Sequence, residues 1–446
     1  MSGHPEQGGR LQRVLGLNDA TALVIGCIVG AGIFRVAAPV ASHLAFPGLI
    51  LLAWVLGGLL SFCGALCYAE LGAAYPRAGG DYVYLTRAYG RAVGFLFGWT
   101  KVFIERTGTI AVLAFVCAEY LGGIVGYGAL GVRLIATTVI VGLTVANAAG
   151  VRYGSRVQNV MTVIKVAALL AIIGVGWWGH GTVGVAQPWW PASWGGATWS
   201  SLGVALVFVL WTYGGWTESA YIAEEVQDPQ RTVPRSILLG LAVTTGLYLI
   251  VNLVYLVAIP VAELPQHRLV AAEVMRRAVG SWGGTLTSWM VIASTFGALN
   301  GYILTSARIL MAVGQDHPVF ARLGAIHPRA ATPVVALAVN AAIAVLLVWT
   351  GTLDAIMTYS TVAISLFYGM AGAAVPILRR RDPSTLRPYR MWGYPLVPWL
   401  FAAAMAAFVL DVAIRQPRES LWGLGLVLAG VPLYAWSQRR QDLHFR

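Results

Sequence analysis

Apolar residues along this chain come in long runs, not in the short alternations of half-buried strands. The runs fall at about 20–43, 48–72, 93–122, 132–150, 158–178 and 200–225. They resume at about 237–259, 286–313, 333–350, 355–377, 396–414 and 421–437. Many reach roughly 20 residues, the length at which a helix crosses a hydrocarbon core of about 30 Å. A spanning segment must satisfy its own backbone hydrogen bonds, so such runs predict helices. The expectation is an all-α polytopic membrane protein of about twelve transmembrane helices.

Two runs carry a defect. The first contains Gly30-Ala31-Gly32-Ile33-Phe34, and the sixth contains Trp211-Thr212-Tyr213-Gly214-Gly215-Trp216. Each glycine costs a helix interior about 1 kcal/mol relative to alanine. Broken backbone at membrane depth is tolerated only where it is buried in protein or lines a cavity. For a lone Gly-x-Gly, close helix packing of the GxxxG kind is the competing explanation. Breaks in corresponding segments point instead to a transporter-type binding site between two five-helix halves, helices 1–5 and 6–10, of inverted topology with two helices added. The chain then divides into a tail at 1–18, one transmembrane domain at 19–437 and a tail at 438–446. Within the domain, the first repeat is about 19–178, the second about 200–377, and the added helices lie at about 396–437.

Helix polarity gives the breaks their chemistry. In the first, the outer half begins near Gly32, and its free amides suit a carboxylate. The inner half ends near Ile28, and its free carbonyls suit an ammonium. In the sixth, the outer half ends near Trp211, again offering carbonyls, and the inner half starts after Gly215. Anion-binding amides beside cation-binding carbonyls suit a zwitterion, and an α-amino acid is the obvious candidate.

Composition agrees with a membrane class: of 446 residues, 58% are hydrophobic and only 11% charged, against about 25% charged in soluble domains. The net charge of +12 raises nucleic acid as a partner, but its distribution argues against one. The only lysines are Lys101 and Lys165, and the arginines cluster in short loops. Arg77, Arg87, Arg91, Arg152, Arg156, Arg231, Arg235, Arg322 and Arg329 fall on one side, with Arg379 to Arg381, Arg387, Arg390 and the tail arginines Arg439, Arg440 and Arg446. The positive-inside rule places that side, and both termini, in the cytoplasm of a cell-membrane protein. Residues 1–16 lack the apolar core of a signal peptide and read as a tail, with a short amphipathic stretch near Leu11–Leu17. Cys27, Cys63, Cys67 and Cys117 all lie in apolar runs and read as small hydrophobes, with no metal-site spacing. In the outer loop at 260–284, Val270, Val274 and Ala278 with Glu273, Arg276 and Arg277 predict an amphipathic helix, either a cap over the vestibule or an interfacial helix.

Several charges fall inside the runs. Lys165 lies about eight residues, or ~12 Å, from the inner end of helix five, deeper than snorkelling reaches easily. An intramembrane lysine is costly and functional by default, as a fixed cation or a proton carrier. Lys101 and Glu105 are four apart on helix three, next to Arg106, and form either a self-contained ion cluster or a coupling element. Arg35 either attracts a carboxylate or snorkels outward, and Glu218 sits inside helix six. Glu224 and Glu225, with Arg231 and Arg235, are candidates for an inner gate, or else solvated loop charges.

The Gly30-Ala31-Gly32-Ile33-Phe34 stretch resembles the Gly-Ser-Gly-Ile-Phe of the amino acid–polyamine–organocation superfamily, whose fold is the LeuT-type inverted repeat. Further stretches resemble its L-type amino acid transporter (LAT) family. They are Tyr75-Pro-Arg-Ala-Gly-Gly-Asp-Tyr82, Arg106-Thr-Gly-Thr-Ile-Ala111, Arg156-Val-Gln-Asn159 with Lys165, Tyr213-Gly-Gly-Trp216, Glu224-Glu225 with Pro234-Arg235, and Gly297-Ala-Leu-Asn-Gly301. The likeness covers nearly the whole chain. It implies a substrate held by backbone: carboxylate on the amides of Ala31 and Gly32, α-amino group on the carbonyls of Ile28, Trp211 and Gly214, with Gly30 and Gly215 of the breaks as further substrate-binding residues. It implies an aromatic gate at Trp211, where relatives often have Phe, and an ammonium at Lys165 standing where sodium-coupled members bind an ion. Mammalian members are disulfide-linked to a single-span partner through an outer-loop cysteine; Gly123–Gly131 has none, so no such heavy chain is expected.

The resulting expectation is a secondary carrier of small or medium neutral L-amino acids, most simply an exchanger, with proton-coupled amino acid or polyamine symport as the alternative. A membrane receptor that binds without transport is the rival from another class. No Gly-x-x-x-x-Gly-Lys-Ser/Thr, HExxH or GxSxG motif supports nucleotide drive or an enzyme, and no cofactor is expected.

Overall fold

The computed structural model describes residue 13 and residues 15–77, 79–148, 154–179, 188–223, 226–316, 320–327 and 332–444. Among these the chain is helical, with one isolated bridge between Leu15 and Val226. It begins with α1 (Leu17–Ile28), α2 (Gly32–Arg35), α3 (Ala37–His43), α4 (Pro47–Ala74) and a short α5 (Asp81–Tyr89). Then α6 (Arg91–Thr100), a π-helical turn (Lys101–Arg106) and α7 (Thr107–Val125) run on as one rod. α8 (Ala129–Ala148), α9 (Gly154–Gly179), α10 (Gly196–Tyr213) and α11 (Glu218–Tyr221) follow. The second part holds α12 (Pro229–Ala258), α13 (Val270–Val279), α14 (Ser281–Asp316), α15 (Val334–Thr350) and α16 (Leu353–Arg381). Last come α17 (Leu396–Arg415), α18 (Pro417–Leu428) and α19 (Gly430–His444), the last extending the helix through most of the expected tail.

Each of the twelve apolar runs is helical over most of its described residues. Among the described residues ten helical segments are long and apolar enough to cross a membrane, and two shorter apolar helices, Thr198–Tyr213 and Val334–Thr350, occupy the sixth and ninth runs. This is an all-α, multi-pass membrane protein. The α16 span is 72% buried within the protein, whereas the α8 span is only 22% buried, so α16 lies in the inner layer and α8 faces lipid. α12 packs along α4 and α1, α7 along α14 and α8, and α16 along α17.

Both expected breaks are present. α1 stops at Ile28 because Val29 leaves helical geometry (ψ 75°), and helix resumes at Gly32. Val36 keeps helical angles, so α2 passes into α3 with little interruption. α10 stops at Tyr213, and Gly215 takes φ +108°, a conformation that disfavours side chains. Helix resumes only at Glu218, three residues after Gly215.

The expected outer amphipathic helix is α13. It buries Val270, Ala271, Val274 and Met275 against α14, α9 and α2. It also contacts α2, the second half of broken helix one. Burial raises the Glu273 carboxyl, but hydrogen bonds from Arg276 and Arg277 outweigh this and hold it at about 2. The Glu273 pairs with Arg276 and Arg277 therefore persist across the physiological range, and Arg277 also lies 2.8 Å from Glu263. At the other ends of α4 and α16, the buried Glu70 receives both Nε and Nη2 of Arg379, at 2.7 and 2.6 Å.

Candidate functional site

The last carbonyls of α1 are each met by a side chain from a different helix. Lys165 of α9 donates to the Gly26 carbonyl at 2.9 Å. The Tyr302 hydroxyl of α14 donates to that of Cys27 at 3.4 Å. The Tyr248 hydroxyl of α12 donates to that of Ile28 at 2.7 Å and lies 3.4 Å from that of Thr212. Tyr248 thus joins the carbonyl ends of both breaks. A tyrosine inside an apolar run must find a partner for its hydroxyl, and that signal marks Tyr248 and Tyr302, which sequence reasoning passed over.

The two breaks face one cavity of about 60 Å³, walled by Ile28, Gly30, Ala31, Gly32, Trp211 and Gly214 together with Trp216, Tyr302 and Tyr368. By this measure it holds about five water positions, the room of an amino acid with a small side chain. The amides of Ala31 and Gly32 donate to no backbone carbonyl among the described residues. The Ile28 carbonyl already accepts from Tyr248 and from the Gly30 amide at 2.7 Å, and the Trp211 carbonyl accepts from the Gly214 amide at 3.0 Å. Of the three carbonyls expected to take an ammonium, Gly214 is the one with no such donor among the described residues. Gly215 is not in the cavity wall. A Cβ there would lie 2.9 Å from the Cys27 carbonyl carbon, so its part is to let helix six cross helix one backbone to backbone. Gly32 permits a second close approach, since a Cβ there would meet Thr212 at 2.6 Å.

Lys165 is fully buried, and no carboxylate stands within ion-pair distance of it among the described residues. The helix-three charges behave differently. Lys101 lies 3.2 Å from Glu105, and Arg106 lies 3.4 Å from Glu105. The cluster is not confined to helix three, because Arg106 also pairs with Glu218 of α11 at 2.5 Å. All of helix three's contribution comes from the π-helical turn, a distortion often found at functional sites. Arg106 also lies over the rings of Tyr302 and Tyr221, at 5.0 and 5.5 Å from their centroids, which helps replace lost hydration. Arg35 takes neither predicted role; it pairs with Glu119 of α7 at 3.1 Å, beside a bond from the Tyr120 hydroxyl to the Phe34 carbonyl.

Glu224 and Glu225 lie outside the described residues, as do Arg152, Arg329, Arg446 and residues 1–12 of the tail. Arg235 is exposed near the start of α12, and Arg231 makes only an exposed contact with Asp228 at 3.8 Å. The start of helix one and the segment that follows helix six are tied by the Gln227 amide, which donates to the Leu15 carbonyl at 2.8 Å. Among the described residues no group of three His, Cys, Asp or Glu is placed to hold a metal.

Comparison with known proteins matches residues 15–424 to the family model "Amino acid permease". The chain is 32% identical to the serine/threonine exchanger SteT of Bacillus subtilis, over 98% of this chain and 99% of that one. It is 31% identical to the b(0,+)-type amino acid transporter 1 of Mus musculus, over 96% of this chain and 90% of the relative. It is also 31% identical to the Asc-type amino acid transporter 1 of Mus musculus, over 97% and 83% respectively.

Proposed function

Because this chain belongs to the amino acid permease family, we propose that it is a secondary carrier that exchanges small or medium neutral α-amino acids by alternating access. The observation that carries the reading is the meeting of two helix breaks on one small cavity, whose lining includes residues with free amides from one break and a residue with a free carbonyl from the other. The substrate carboxylate rests on the amides of Ala31 and Gly32. Its α-amino group takes the Gly214 carbonyl and shares those of Trp211 and Ile28. Trp211 closes one side of the cavity as an aromatic gate. The names of the relatives, exchangers and transporters of amino acids, support the same reading.

The wider architecture belongs to the proposal: twelve crossings, a LeuT-type pair of inverted repeats at about 19–178 and 200–377, both termini cytoplasmic, and an inner gate using Glu224, Glu225 and Arg235. The chain works without a disulfide-linked heavy chain, since Gly123–Gly131 holds no cysteine. Lys165 is a fixed ammonium on the end of α1, doing the work of a bound cation. The absence of a carboxylate within ion-pair distance of it among the described residues also favours a second reading, proton symport with Lys165 as the carrier.

Uptake of labelled amino acids into proteoliposomes separates these. Uptake confined to vesicles preloaded with cold amino acid establishes exchange. Uptake into empty vesicles, driven by an inward pH gradient and lost in Lys165→Ala, establishes symport. Saturable binding with no accumulation under either condition overturns transport in favour of a receptor.

A further inference from the structure

Where the zwitterion's ends meet helices one and six, its side chain must meet the rest of the cavity wall, a mostly apolar surface that carries a few polar groups. Glu105 of the π-helical turn lines it with 15% of its side chain exposed. Both ion pairs of Glu105 fall on one oxygen, Oε2; its other oxygen, Oε1, takes none among the described residues. Thr361 of α16 lines the same wall, is 4% exposed, and its hydroxyl has no hydrogen-bond partner among the described residues. Two other hydroxyls in the wall are committed: Thr212 donates to the Phe208 carbonyl at 2.7 Å and Ser360 to the Ile104 carbonyl at 3.2 Å. The Ser360–Ile104 bond joins α16 to the π-helical turn one residue before Thr361 and one before Glu105, and both groups line the same cavity.

We propose that Glu105 and Thr361 form a side-chain subsite that selects amino acids carrying a hydroxyl; this rests on the reading of the cavity as the substrate site. A buried hydroxyl with no partner costs free energy that a substrate group recovers on binding. The charge balance decides which group. Lys101 and Arg106 offset Glu105 and Glu218, so the quartet is neutral and offers a cationic side chain no net attraction. Asp81, hydrogen-bonded by Tyr68 at 2.9 Å, is not in the wall. A substrate hydroxyl suits both partners, donating to the Glu105 carboxylate and accepting from Thr361. An apolar side chain of the same shape leaves both unmet, and sites built to bond a hydroxyl reject such analogues far more strongly than apolar pockets reject an extra one.

The test is counter-transport of threonine against valine, and of serine against alanine, in proteoliposomes of the full chain, with KM measured for each. The wild type is expected to favour each hydroxyl-bearing partner by about tenfold or more. Thr361→Val should reduce the threonine-to-valine preference by about fivefold, and Thr361→Ser should restore it. Each ratio is taken within one preparation, so expression and folding cancel. Glu105→Gln, which keeps shape but loses charge, reads the same ratio should Thr361→Val fail to assemble. A wild type that handles threonine and valine alike, or a ratio unmoved in both variants, overturns the subsite while leaving amino acid transport standing. A wild type that moves no amino acid overturns the functional reading beneath it.

Discussion

The two helix breaks do the same job by different physics. In helix one the interruption at 29–31 contains no left-handed residue, and Gly30 has room for a methyl group: a Cβ there would lie 3.6 Å from Leu113. The break is held from outside, by Lys165, Tyr302 and Tyr248 on the carbonyls of Gly26, Cys27 and Ile28. In helix six the break is held from within, by the positive φ of Gly215 and by backbone contact with Cys27. Its short second half, α11, is fastened by one buried ion pair, Glu218 to Arg106. A break clamped by several separate side chains loses them one at a time. A break set by a single backbone conformation and a single ion pair has few points of support, and each carries a large share.

The largest expected effect is therefore Gly215→Ala. A side chain at φ +108° is strained, and its Cβ presses on backbone that cannot swing aside. Strain and overpacking together amount to about 2–6 kcal/mol. A sharp fall in melting temperature in detergent and loss of uptake are the expected readings; an alanine variant that melts and transports like the wild type would break the comparison at its strongest point.

Next comes Glu218→Gln, which leaves the fully buried Arg106 with the longer ion pair to Glu105 and the rings of Tyr221 and Tyr302. Removing one partner of a buried pair costs about 3–5 kcal/mol. Replacing both, as Arg106→Met with Glu218→Leu, should recover much of the lost stability but not transport. Recovery of both would mean that the pair only fills space.

The contrast also explains what could be read in advance. Lengths and positions of the helices were legible because hydrocarbon forces long apolar runs into helix. The breaks were legible because glycine pairs interrupt those runs, and the geometry at Lys165 followed from its depth and from the resemblance. Distances between runs are not written in spacing, so the reach of Arg106 to Glu218 and of Arg35 to Glu119 was not legible. Gly215 was read as part of the substrate contact because a sequence shows that a glycine is present but not which neighbour its missing side chain admits. Tyr248 was missed for a similar reason: its ring looks like apolar filling until its hydroxyl is placed between Ile28 and Thr212.

Helix one supplies the smaller effects. Tyr248→Phe removes one hydroxyl, and the Ile28 carbonyl keeps its bond from the Gly30 amide, so about 1 kcal/mol is at stake. A drop in melting temperature well below that of Gly215→Ala is expected, with exchange slowed but present.

Gly30→Ala should do least to stability, although it alters the middle of the motif. Its φ is not in the left-handed region, and the nearest atoms to a new Cβ are Leu113 Cδ2 at 3.6 Å and the Cys27 carbonyl oxygen at 3.8 Å, ordinary contacts. Where the folded geometry accepts alanine, the substitution restricts the unfolded chain and stabilises by about 0.4–1 kcal/mol. The added methyl group enters the wall of a cavity of only about 60 Å³, so its cost falls on substrate, not on fold. An unchanged or slightly raised melting temperature with a raised KM, larger for threonine than for serine, is the expected pair of readings. A fall in melting temperature as large as that of Gly215→Ala would show that helix one depends on its own backbone after all, and that the side chains on its carbonyls follow the break instead of making it.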